Sequence, residues 1–409
     1  MVKIAVMGHG VVGSGVAELL RKNAAHIAAK AGEEIELERV LDLREFPDLP
    51  YADKFTKHFS DILDDPAIQI VVETMGGLTP AYDYVKACLL SGKSVVTSNK
   101  ELVAQKGDEL LAIAREKGLN FLFEASVGGG IPVLRPLDQC LAANEVSEVA
   151  GILNGTTNFM LTRMIEDGMQ FEEALALAQK RGYAERDPSA DIDGLDACRK
   201  ICILASLAFG KHVYPAQVRT EGIRQVTLTD VRLADALGGV IKLIGKAVRD
   251  GEHVSCAVAP MIVPKKHLLA DVRDVFNAIL VRGDAIGDVV FYGRGAGKLP
   301  TASAVLADVI DEVKHLRARK YLCWDAGAPD YATDYGLRPV KMLLRVRADA
   351  DRKADIAAAF GDIAFVDCDA LPQNELAFLT NAVTEKELRD VLAAVAGIEL
   401  VSRLRLAEL

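Results

Sequence analysis

The stretch KIAVMGHGVVGSGV at residues 3–16 constrains the fold more than any other part of the chain. Its apolar start has the length of a strand. Gly8, Gly10 and Gly13 follow as G-x-G-x-x-G, with Val11 and Val12 inside the motif, and a helix is expected from about Ser14 to Asn23. Glycines at these places permit a tight turn, close approach of backbone to a pyrophosphate, and close helix–strand packing. Free N–H groups at the helix start suit the phosphates. Further strand-like runs lie at 35–41, 68–72, 94–97 and 120–123, with helical runs at roughly 80–91 and 101–117. Such β-α alternation predicts a parallel, doubly wound dinucleotide-binding sheet.

At 409 residues the chain has room for two or three domains and a large core. Its net charge of −10 comes without any basic run, which argues against nucleic acid or an anionic membrane as partner. No apolar stretch reaches the length of a membrane span, and the start lacks a signal peptide's pattern. Seven scattered cysteines form no disulfide framework, and Cys198 and Cys202 read as small core residues. The expectation is a reduced, cytoplasmic protein.

After Pro132 the alternation breaks. EVSEVAGILNGTTNFM reads as a strand running into a helix, followed by an amphipathic helix at Phe171–Arg181, an acid-rich stretch and an apolar helix. Strands at 253–263, 278–283 and 289–295 look antiparallel, so an α+β domain is expected over 135–297. The glycine-rich turn and long helix at 295–316 should return to the first domain, giving 1–134 completed by about 298–325. A linker near GAPDYATDYG then leads to a separate β-α-β-β-α-β unit at 336–409.

Candidate cofactor residues sit where parallel strands end. Asp42 could bind a ribose hydroxyl, as for NAD, and Arg44 a 2′-phosphate, as for NADP. Thr74 in ETMGG and Ser98 and Lys100 in VVTSNKE close two further strands. A cation at a helix start, such as Lys100, is disfavoured by the helix dipole, which favours a functional reading.

The stretch DPSADIDGLDACRKICILA places Lys200 on an otherwise apolar helix. Lysine is almost never fully buried unless paired. With Asp193 as N-cap, Asp196 falls in the first turn and faces Lys200 one turn later. Burial lowers a lysine's pKa and a carboxylate raises it back, the tuning expected of a proton donor and acceptor. Asp191, Asp187 and Glu185, just upstream, could receive a substrate ammonium.

GHGVVGSGV, VVTSNKELVA, FEASVGGGIPVLRPL, GILNGTTNFML, GYAERDPSADIDGLDACRKICILA and YGRGAGKLPTASAV resemble, in order and spacing, the signature blocks of homoserine dehydrogenases over about residues 2–320. With no aspartokinase region ahead of the nucleotide domain, the chain resembles the monofunctional type. The resemblance implies reversible reduction of L-aspartate 4-semialdehyde to L-homoserine with NADH or NADPH. It implies Lys200, Lys100 and Asp196 as catalytic residues, and Glu185, Asp191 and Thr156 as substrate-binding ones. Gly182 and Gly297 would be further cofactor contacts. Glu124, Val127, Gly129 and Ile131 would hold a monovalent cation, sodium or potassium, mainly by carbonyl oxygens. A homodimer or homotetramer is expected.

Two other readings compete. A dehydrogenase oxidising the same aldehyde would need an activated cysteine, and neither Cys140 nor Cys198 lies in such a setting. A silent amino-acid sensor would not need both lysines and every acid. The C-terminal unit resembles an ACT domain, which in this family can carry feedback inhibition by threonine. Its first turn, ADADRKAD, has neither glycine nor proline, so weak or no threonine inhibition is expected.

Overall fold

The computed structural model describes residues 1–318 and 322–409. The expected completion of the first domain over 298–325 therefore includes three residues outside the described ones. Contacts divide the chain into two compact units. The first holds 1–147, 202–215 and 282–328; the second holds 148–201, 216–281 and 329–409.

In the first unit, β1 (Val2–Met7), β2 (Ile35–Leu41), β3 (Phe55–Thr56), β4 (Ile68–Glu73), β5 (Ser94–Thr97) and β6 (Phe121–Leu122) form one sheet. Their order is β3-β2-β1-β4-β5-β6, with every pairing parallel. Winding reverses between β1 and β4, the switch point where doubly wound sheets bind ligands. The helices are α1 (Val11–Lys22), α2 (Ala24–Ala31), α3 (Ser60–Leu63), α4 (Ala81–Leu90) and α5 (Lys100–Lys117). The first helix starts at Val11 rather than Ser14, because Gly10, not a polar residue, occupies the cap position. Ile4, Val6, Ile70, Val72 and Val96 are fully buried, as continuous apolar strands of a two-sided sheet should be.

In the second unit the strands are β7 (Val146–Ile152), β8 (Arg219–Thr220), β9 (Gly239–Asp250), β10 (His253–Pro264) and β11 (Phe276–Gly283). Strand β12 (Gly287–Arg294) belongs to the first unit. The second unit's helices are α6 (Gly155–Asp167), α7 (Phe171–Lys180), α8 (Ser189–Ile192), α9 (Leu195–Phe209, which ends in the first unit's residues) and α10 (Leu228–Ala236). Helix α11 (Lys298–Lys314) packs on α1 in the first unit, where a Cβ on Gly15 would lie 3.0 Å from that of Ala302.

The C-terminal residues have the expected β-α-β-β-α-β order: β14 (Met342–Arg347), α12 (Lys353–Phe360), β15 (Ala364–Phe365), β16 (Glu375–Leu379), α13 (Glu385–Ala394) and β17 (Glu399–Leu406). They do not stand apart as a separate sheet. Strand β17 pairs with β10 at Met261 and Ile262, giving the second unit the run β11-β7-β9-β10-β17-β14-β16-β15. The expected linker also differs, since Ala332–Asp334 within it form β13 against the same edge of β10. An open strand edge exposes unpaired N–H and C=O groups, and here the short strands β13 and β8, followed by β17, cover it in turn. The long hairpin partner β9 escapes a pattern-based reading because Lys242 and Lys246 interrupt its apolar run, although both are buried.

Candidate functional site

The glycine turn is built as its sequence suggests. Gly8 has φ +95°, a conformation open to glycine, and a Cβ on Gly13 would lie 1.9 Å from the Gly8 carbonyl oxygen. Thr74 closes the turn from β4, its hydroxyl donating to the Gly8 carbonyl at 2.9 Å. A cleft of about 470 Å³ beside the turn is lined in part by Arg21 and Lys22, cations that suit an anionic dinucleotide, and by Lys298, which pairs with Glu18 at 2.7 Å.

Asp42 and Arg44 are not independent. Arg44 donates from Nε to Oδ1 and from Nη2 to Oδ2 of Asp42, both at 2.9 Å, while the His9 amide donates to Oδ2 at 2.7 Å. The Arg44 guanidinium, with the backbone amides of Arg44 and His9, holds the Asp42 carboxyl well below the usual range against the effect of its partial burial. A bidentate pair at the end of β2 therefore presents both candidate ribose contacts as one group.

On β5 and α5, Asn99 caps the helix by accepting the Leu102 amide at 3.1 Å, and its Nδ2 donates to the Gly77 carbonyl at 2.6 Å. Lys100 is thus the first residue of α5, fixed at the carboxyl edge of the sheet beside Ser98.

In the second unit, Asp196 and Lys200 lie one turn apart on α9 and are 3% and 7% exposed. Lys200 Nζ donates to Asp196 Oδ2 and to the Leu153 carbonyl, each at 2.7 Å. Asn154, absent from the expected site, joins them: its Nδ2 donates to Asp191 Oδ1 at 2.7 Å and Asp196 Oδ2 at 2.9 Å. Its Oδ1 caps α6 through the Thr157 amide. An asparagine between a strand and a helix is a visible cap signal, which could have pointed to it. Burial and the neighbouring Asp196 push the Asp191 carboxyl up, so this pair of acids favours a cation nearby. Thr156 sits at the same place, donating to the Tyr183 carbonyl at 2.7 Å.

Asp193 is not the N-cap. Helix α9 begins at Leu195, and the Asp193 carboxylate is bonded instead to the Arg224 guanidinium. Asp196 still falls in the first turn. Glu185 and Gly182 are exposed in the preceding loop, and the Glu185 carboxylate makes no ion pair among the described residues. Asp187 is exposed and turned onto the Ser189 amide and hydroxyl.

The Glu124 carboxylate is committed to the protein: it accepts the amides of Val133, Leu134 and Arg135 at 2.7–2.8 Å. The segment from Val127 to Ile131 packs on the turn that holds Gly297, with a Cβ on Gly129 only 2.5 Å from the Gly295 carbonyl carbon. Cys198 and Cys202 are buried, and Cys140 is exposed. No helix among the described residues is long and apolar enough to cross a membrane.

Residues 8–124 match the NAD binding domain of homoserine dehydrogenase, and residues 132–310 match homoserine dehydrogenase. The homoserine dehydrogenase of Pseudomonas aeruginosa is 38% identical, over 98% of this chain and 96% of that protein. The crystal structure of a homoserine dehydrogenase from Thiobacillus denitrificans superposes with TM-score 0.92 at 38% identity, covering 99% of this chain and 98% of the other. A hyperthermophilic archaeal homoserine dehydrogenase in complex with NADPH gives TM-score 0.65 at 26% identity, over 76% of this chain and 97% of that one. With the cofactor turn in one unit and the Asp196–Lys200 pair in the other, this chain belongs to the homoserine dehydrogenase family.

Proposed function

We propose that this chain reduces L-aspartate 4-semialdehyde reversibly to L-homoserine with NADH or NADPH, and that Lys200 handles the proton. The observation carrying the assignment of roles is the buried Lys200 ammonium, 2.7 Å from both Asp196 and the Leu153 carbonyl. The nicotinamide supplies the hydride when bound, leaving the protein to bind, orient and protonate.

Lys200 holds a proton at Nζ that a developing alkoxide can take, and Asp196 keeps that ammonium oriented. Lys100, at the carboxyl edge of β5, serves as a second cation toward the same oxygen. The substrate's ammonium goes to Asp191 and Glu185: a cation there relieves the repulsion between Asp191 and Asp196, and the exposed Glu185 can turn to meet it. Thr156 completes that pocket. Gly8, Gly10, Val11, Val12 and Gly13 hold the pyrophosphate, with Thr74, Ser98, Gly182 and Gly297 as further cofactor contacts. The Asp42–Arg44 pair receives the adenosine ribose. A monovalent cation would be held by the carbonyl oxygens of Glu124, Val127, Gly129 and Ile131, the Glu124 side chain being committed elsewhere.

The protein works in the cytoplasm as a homodimer or homotetramer, and its C-terminal unit serves assembly. No residue over 348–353 has a positive φ, consistent with a turn that does not present amides to an amino acid. Loss of reduced-nicotinamide absorbance on mixing protein, semialdehyde and NADPH tests the activity. A rate that requires phosphate and runs toward oxidation of the aldehyde would reject it.

A further inference from the structure

Glu73, the last residue of β4, is fully buried beside the point where the sheet reverses its winding. Its Oε1 accepts the amides of Met75 at 2.7 Å and Gly76 at 3.2 Å, and its Oε2 accepts the Thr97 hydroxyl at 2.5 Å. All these partners are neutral. No lysine, arginine or histidine pairs with Glu73 among the described residues. Burial pushes its carboxyl up.

The direction of these hydrogen bonds nevertheless favours the carboxylate. Backbone N–H groups can only donate, so Met75 and Gly76 fix Oε1 as an acceptor. The Asn99 amide likewise donates to Thr97 Oγ1 at 2.9 Å. A proton on Oε2 would make Thr97 accept twice and leave its own hydrogen without an acceptor in a fully buried place. The chain of donors from Asn99 through Thr97 therefore ends on a negative charge.

Position matters as much as charge. Phosphates go to the turn after β1, and the adenosine ribose to the end of β2, where Asp42 stands. The nicotinamide half then falls on the other side of the switch point, at the carboxyl ends of β4 and β5. Glu73 anchors both loops there: its carboxylate holds 75–76 and its carbonyl accepts the Ser98 amide. Met75 in turn lies against the glycine turn, its N 3.0 Å from where a Cβ on Gly8 would stand.

We infer that Glu73 is a specificity-determining residue that favours the oxidised, positively charged nicotinamide cofactor over the reduced, neutral one. An anion without a cation of its own is costly in a buried site, and a cationic ring offsets that cost where a neutral ring does not. The inference rests on the dinucleotide-binding reading of the first unit.

Equilibrium binding to the full chain tests it, with three ligands titrated separately: oxidised cofactor, reduced cofactor, and the matching ADP-ribose that lacks nicotinamide. Glu73→Gln should weaken the oxidised form on the order of tenfold, with the other two unchanged within about twofold. Thr97→Val, which removes the hydroxyl donor, should shift the oxidised-to-reduced preference in the same sense. An unchanged preference in either folded variant, or equal weakening of both cofactor forms, overturns the inference. Failure of wild type to bind ADP-ribose overturns instead the dinucleotide reading beneath it.

Discussion

Asn154 donates through one amide nitrogen to Asp196, 2.9 Å away, and to Asp191, 2.7 Å away, so a single side chain separates a buried acid from a half-buried one. Removing it leaves those carboxylates facing each other without a shared donor. Asn154→Ala should lower kcat/KM about 10- to 100-fold, the rate equivalent of leaving a buried polar group unsatisfied by about 1–3 kcal/mol. Asn154→Ser, which can still cap α6, separates the helix effect from the acid effect. If the serine variant regains full activity, the bridge between the acids is not what matters.

For Lys200→Ala, hydride transfer should be lost in both directions while cofactor binding survives. Turnover above about a tenth of wild type would reject the proton-handling role. The variant also leaves Asp196 buried without its partner, a loss of about 3–5 kcal/mol in stability. Lys200→Ala with Asp196→Asn should recover much of that stability and none of the activity, which separates folding from chemistry.

Much of this was legible in the sequence, and the reasons differ by residue. The turn at Gly8 and the pairing of Asp196 with Lys200 depend on short spacings that any helix or turn imposes. Asn154 is different: its partners lie 37 and 42 residues away, so only the folded chain shows which acids it joins. Strand β9 was hidden by Lys242 and Lys246, charges that are satisfied by tertiary partners: Asn158 and the Val272 carbonyl for one, Glu148 for the other. Glu73 fell one residue outside the expected run at 68–72, since burial on both faces of a sheet end has no local signature.

Glu185→Gln should raise KM for the semialdehyde about tenfold or more while KM for the cofactor stays within about twofold. The basis is an exposed carboxylate with no ion pair among the described residues, six residues before Asp191, the other acid proposed to receive the substrate ammonium. Equal effects on both KM values would place Glu185 in the folding of its loop rather than in the substrate site.

Trp324 is the only tryptophan, and its indole N–H donates to His212 Nδ1 at 2.8 Å. His212 Nε2 lies 3.0 Å from the Ala104 carbonyl, which makes Nε2 the protonated nitrogen of a neutral ring. Burial lowers the His212 pKa below its ordinary 6.5. The unfolded chain therefore takes up this proton first, and the stability His212 contributes is present above pH 6.5 and falls below it. Tryptophan emission during denaturant unfolding should show a lower midpoint as pH drops below that value. In His212→Phe this dependence should flatten, at the expense of an unsatisfied indole worth about 1–3 kcal/mol.

Glu221 carries the last prediction, on how the C-terminal residues are held. Arg405 donates to both its oxygens at 2.8 Å, Arg403 and Arg219 add bonds at 3.1 Å, and Arg405 also pairs with the buried Glu385. Burial works against the Glu221 charge, but these guanidinium groups outweigh it and hold the carboxyl at about 2 rather than 4.5. A lowered carboxylate pKa stabilises the fold above the unfolded value, and that stability drains away as pH falls from 4.5 toward about 2. The shift corresponds to about 3 kcal/mol in total. Chemical unfolding followed from neutral pH downward should show that loss, and Glu221→Gln should be less stable at neutral pH with a shallower acid dependence. Arg405→Ala should be worse than Glu221→Gln, by leaving Glu221 and Glu385 without their common partner beside the β10–β17 pairing. A Glu221→Gln variant with wild-type stability at neutral pH would mean that the cluster does not fasten the C-terminal strand.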